Sequence, residues 1–150
     1  MRTRLRLKSL LVLTALLVGV TSSLAWAIQS LSLEVAVTYA GSDGEVSSDN
    51  PIVVVVFDTA SMMQASPIAQ AIITENGGTA SFSNLTASPV YVAAIYDTHG
   101  SYTLDQPEPL SGSPATQYVA GGSFAPAAVE LPDGETTKIS FQITDLFRMP

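Results

Sequence analysis

The chain has 150 residues, 47% of them hydrophobic, with thirteen acidic side chains, one histidine and no cysteine, so no disulfide, thiolate metal site or cysteine nucleophile can be built from it. Arg2, Arg4, Arg6 and Lys8 all lie near the start, so residues 28–150 keep only Lys138 and Arg148 against all thirteen acids, a net charge of −11. Such a surface repels phosphate backbones and anionic lipid, which excludes nucleic acid as an expected partner.

Residues 1–8 are basic, residues 10–20 form an apolar run, and Ala25-Trp26-Ala27 places small residues at the two positions a signal peptidase reads. We read residues 1–27 as a signal peptide, a cleaved N-terminal signal helix, with Ile28 as the first mature residue. An uncleaved anchor would need about 20 apolar residues to span a bilayer, and Thr21, Ser22 and Ser23 cut this run short. The expected location is therefore secreted, extracellular or periplasmic, with no membrane attachment after cleavage. Residues 28–150 suit one domain, able to bury roughly two thirds of its unfolded surface.

From Leu31 the hydrophobic period is two. Leu31, Leu33, Val35, Val37 and Tyr39 alternate with Ser32, Glu34, Ala36 and Thr38, the pattern of a half-buried strand, and the run around Gly41 and Gly44 ends it in a turn. Residues 52–57 are continuously apolar with four valines, which predicts a strand covered on both faces at the centre of a sheet. Met62 and Met63 are expected to fill gaps under a loop. Residues 67–75 read as a strand: Ile68, Ile72 and Ile73 also fit a helical turn, but Pro67 and Asn76-Gly77-Gly78 favour extended chain.

Residues 79–85 follow, anchored by Phe82 and Leu85, and then an alternating strand from Val90 to Tyr96. Residues 111–123 read as loop around one edge strand at Tyr118-Val119-Ala120, and Pro126 interrupts the next segment. A turn at Pro132-Asp133-Gly134-Glu135 precedes the last strand, where Thr137, Ile139, Phe141 and Ile143 alternate with polar residues. Residues 145–150 are expected to be a short tail.

The stretch Gly78-Thr79-Ala80-Ser81-Phe82-Ser83-Asn84-Leu85, a Pro-containing link and Val90-Tyr91-Val92-Ala93-Ala94-Ile95-Tyr96-Asp97 together resemble a motif of prealbumin-like, carboxypeptidase-regulatory-like domains of secreted proteins. The resemblance extends over about residues 31–144. It implies an all-β fold, a single seven-stranded Greek-key sandwich of Ig-like, prealbumin-like type. It also implies that the last strand of the motif runs into an aspartate-rich loop, matched here by Asp97, Gly100, Asp105, Glu108 and Pro109; His99 stands where that pattern has asparagine, and the second glycine is missing.

The loop's own chemistry points the same way. With Asp97 as the first position, Ser101, Thr103, Asp105 and Glu108 fall at the oxygen-ligand spacing of a 12-residue calcium loop, while His99 and Tyr102 break it. Calcium is thus a candidate ligand over residues 97–108, bound at about 10⁻⁴ to 10⁻³ M as in extracellular modules. The alternative is a solvated loop in which Asp97 caps a turn. His99 has acids and serine nearby in sequence but no nucleophile elbow, so catalysis is not expected. Two readings of function follow: a secreted, non-catalytic binding or structural module with an unknown protein or surface partner, or a subunit of an extracellular fibre or surface assembly, a homo-oligomer built by strand addition through residues 31–39.

Overall fold

A computed structural model describes residues 30–105 and 110–150; the signal segment and its cleavage site lie outside the described residues, as do Gln106, Pro107, Glu108 and Pro109. Strands β1 (Leu31–Tyr39), β2 (Ile52–Phe57), β3 (Ala69–Ile73), β4 (Thr79–Leu85), β5 (Tyr91–Tyr96), β6 (Ala115–Gln117) and β7 (Thr136–Ile143) make up the described fold with one 3₁₀ turn, Met62–Gln64. They form an all-β sandwich of two sheets, ordered β4–β1–β7 and β3–β2–β5–β6.

Each sheet is organised by the strand whose sequence pattern is cleanest. In β1 the five alternate apolar side chains all point inward, with Leu33, Val35 and Val37 fully buried. Each such side chain contributes about 1.5–3 kcal/mol relative to exposure. The strand pairs antiparallel with β4 and parallel with β7, so both its edges are occupied. This corrects the expectation that residues 31–39 could add to a neighbouring subunit: β1 has no open edge to offer, because it completes its own sheet.

β2 is buried along its whole length. Ile52, Val54 and Val56 face β1 across the sandwich in the main core, whereas Val53, Val55 and Phe57 face outward under a second apolar cover that includes Leu110, Met62 and Tyr102. The chain supplies that cover from the connections flanking β2 and β5, which is why an uninterrupted apolar run is tolerated at a sheet's outer face. Met62 fills a gap there as expected, while its neighbour Met63 is exposed.

In β4 the register slips, Leu31 pairing with Leu85 but Leu33 with Phe82. The extra residue is taken up at a bulge where Asn84 has φ +56°, a left-handed conformation that asparagine tolerates better than most side chains.

Two boundaries differ from the sequence reading. The edge strand is Ala115–Gln117, upstream of Tyr118-Val119-Ala120, because its register is set from both sides: Ala115 lies opposite Ile95 and its N–H bonds to Phe147 O at 3.0 Å. The expected tail is itself paired. Met149 N–H donates to Ser113 O and Gly112 N–H to Met149 O, each at 2.9 Å, so the chain leaves β7 in one sheet and closes onto β6 in the other.

Candidate functional site

The directions of β1, β2, β5 and β7 bring the connections 40–51 and 74–78, residues 97–105 and 110–114, and the segment 144–150 to one end of the sandwich. Asp43, Glu45, Asp49, Glu75, Asp97, Asp105 and Asp145 lie on these segments, with Arg148 the one base among them. The end is therefore acidic by topology. Two aromatic rings hold it together from below: Tyr39 of β1 and Tyr96 of β5 stack across the sheets with centroids 4.1 Å apart.

Asp97, immediately after β5, is fully buried. A buried carboxylate needs its oxygens satisfied, and the loop does this with its own backbone. Asp97 Oδ1 accepts from the N–H groups of His99 and Gly100, both at 3.0 Å, and Oδ2 accepts from Tyr102 N–H at 2.8 Å. Its own N–H donates to Pro51 O, and the Asn50 side-chain amide donates to Asp97 O.

The turn requires a glycine: Gly100 has φ +65°, and a Cβ there would stand 2.3 Å from Asp49 O. The result is a strap that folds back over β2. Tyr102 and Leu110 are laid on Val53, Val55 and Phe57, and the Tyr102 hydroxyl donates to Gln70 Oε1 on β3.

Beside the strap lies a second polar cluster. Tyr39 hydroxyl donates to Asp145 Oδ1 at 2.7 Å and accepts from Asp43 N–H at 2.9 Å. Asp145 Oδ2 accepts from Ser42 N–H and Ser42 hydroxyl. Gly41 leaves the room for this, since a Cβ there would meet Asp145 Oδ1 at 2.0 Å. Arg148 donates to Asp43 Oδ2 at 2.6 Å and to Gly112 O at 2.9 Å.

Burial, followed by the bond to Asp145, pushes the Tyr39 hydroxyl up to about 12. The Asp145 carboxyl is held below its ordinary range, first by the Tyr39 hydroxyl and then by Ser42 N–H.

Of the residues singled out for calcium, Asp97 is turned into its own loop, whereas Ser101, Thr103 and Asp105 are exposed and Glu108 lies outside the described residues. Among the described residues no three His, Cys, Asp or Glu side chains converge as a metal-binding group. Exposed His99 has a ring nitrogen 3.2 Å from the neighbouring Thr98 hydroxyl, and Thr98 in turn lies 3.4 Å from buried Ser113.

The role of Asp145 and Arg148 as fasteners was missed by the sequence reading. The one signal available was that Arg148 is one of only two bases in a strongly acidic domain. Away from this end, two grooves of about 200 and 240 Å³ run along the outer face of β4–β1–β7, either side of a Glu34–Lys138 ion pair at 2.7 Å. Glu34 lines both grooves and Lys138 the second, beside small Ser, Thr and Ala side chains and the apolar Leu33, Phe82 and Ile139.

No family model, no curated protein and no solved structure matches this chain.

Proposed function

We propose that residues 28–150 form an exported, non-catalytic β-sandwich module that acts by contact, through the acidic end built from the Asp97 strap and the 40–51 connection. The observation that carries the reading is the state of Asp97. Its carboxylate is fully committed to three N–H groups of its own loop, which gives a preorganised surface loop rather than a reactive group, and preorganisation reduces the entropy lost on binding. The reading gives calcium no structural part, because a cation on Asp97 would displace those donors.

We further read the fold as prealbumin-like and Greek-key. The order β4–β1–β7 against β3–β2–β5–β6, with the first and last strands parallel, supports this alongside the motif resemblance.

The test places a photo-crosslinking amino acid at Leu104 on the strap and, separately, at Phe124, a fully exposed side chain in the β6–β7 connection. The full chain is expressed from its own leader in a bacterial host. Exported protein should begin at Ile28, and covalent adducts should form from position 104 and not from 124. Retention in the cytoplasm with residues 1–27 intact, or adducts from position 124 alone, overturns the proposal.

A further inference from the structure

Four strands edge the two sheets, and three of these edges carry a guard. β6 is covered by residues 147–149, β4 is bulged at Asn84, and β7 carries Lys138. Bulges, charges and covering segments are the usual means by which a sheet edge is kept from pairing with another chain. Among the described residues β3 has no charge and no covering segment, and its one irregularity lies at its start, where Ile68 N–H bonds to Val56 O although Val56 pairs with Ala69. Its sequence Ala-Gln-Ala-Ile-Ile is uncharged and pairs with β2 in unbroken register. From Thr59 to Tyr96 the chain carries a single charge, Glu75.

The ladder fixes which backbone groups β3 presents. Asp97 N–H bonds to Pro51 O, so 51 and 97 form a hydrogen-bonded pair in the β2–β5 ladder. Alternation then turns Ile52, Val54 and Val56 toward β3. Their partners are Ile73, Ala71 and Ala69. The N–H and C=O of Gln70 and Ile72 consequently point away from the sheet, and among the described residues they have no backbone partner.

We propose that β3 is the pairing edge of a homodimer, occupied by β3 of a second copy laid antiparallel about Ala71, so that two four-stranded sheets become one of eight. In that register Gln70 of each copy faces Ile72 of the other and the four outward groups on each side are mutually satisfied. Glu75 falls opposite Pro67, whereas parallel pairing would set Glu75 against itself. The edge thus meets its own copy without like-charge contact in a molecule whose acids otherwise repel. The inference is independent of export, and it gives the assembly reading a different strand from β1.

The absence of cysteine makes the register directly measurable. Ala71 would face Ala71 as a non-hydrogen-bonded pair with Cα atoms about 4.5 Å apart, within disulfide reach. With diamide as oxidant, Ala71→Cys should link into a covalent dimer at least about tenfold faster than Ser140→Cys on the outer face of β7, since only the first lies in the paired register. Adding Ile72→Pro removes one outward N–H and no bond to β2, and should bring the rate down to that of Ser140→Cys.

In parallel, sedimentation equilibrium of the unaltered chain at roughly 0.5 mM should show a dimer fraction that rises toward about 0.5 M salt, where a screening length near 4 Å suppresses the net repulsion. A purely monomeric chain under those conditions overturns the proposal. So does an Ala71→Cys variant that links no faster than Ser140→Cys, or one whose linking is unaffected by Ile72→Pro.

Discussion

Three N–H groups converge on Asp97, and among the described residues the carboxylate is the acceptor of all three. Asp97→Ala should therefore cost about 2–3 kcal/mol, the range for losing charge-assisted bonds to partly buried donors, with faster hydrogen exchange at the His99, Gly100 and Tyr102 amides as the local readout. Millimolar calcium should leave the calorimetric melting midpoint unchanged; a clear upward shift would show that residues 97–108 take the ion.

Tyr39 and Asp145 set opposite limits in pH. The Tyr39 hydroxyl titrates higher folded, at about 12, than its ordinary 10.0, so its contribution is complete below 10.0 and is lost as pH rises toward about 12. Asp145 titrates below its ordinary 3.8, so its contribution is complete above that value and is lost as pH falls through the folded one. Denaturant melts across pH should show Tyr39→Phe flattening the alkaline limb and Asp145→Asn the acid limb.

The Asp97 turn cap is one of the two readings the sequence leaves open, and the structure shows it; the bonds of Tyr39 and Asp145 were not legible. A carboxylate at the end of a strand looks the same whether it will bind an ion or its own backbone, and only the path of the following residues distinguishes the two.

Among the elements, β1, β2 and β7 were readable because each is governed by one local rule, alternation or continuous burial. The apolar run of β2 also required a cover on its second face, and Leu110 and Tyr102, apolar or aromatic residues within a loop, were the available sign of where that cover lies. Leu110→Ala should cost about 2–4 kcal/mol and increase binding of an apolar dye as Val53 and Val55 become accessible; urea melts with and without dye measure both.

The three-residue β6 was not readable, since its register comes from Phe147 and Ile95, far away in sequence. A chain ending at Thr144 should accordingly melt several degrees lower and lose amide protection at Gly112 and Ala115, while Val35 and Val54 keep theirs.

At the scale of the molecule, composition and period were enough for an all-β sandwich, but the order of strands was decided by contacts between its first and last elements. β1 and β7 lie side by side and parallel, with eight consecutive residue pairs from Ser32–Thr136 to Tyr39–Ile143. Leu31 and Ile143 therefore stand at opposite ends of the same ladder. Tension applied between those two points would load the whole ladder in shear instead of peeling it one rung at a time, so the bonds would have to fail together. A ladder connected in this way should be slow to unfold when pulled along its length, whatever its equilibrium stability.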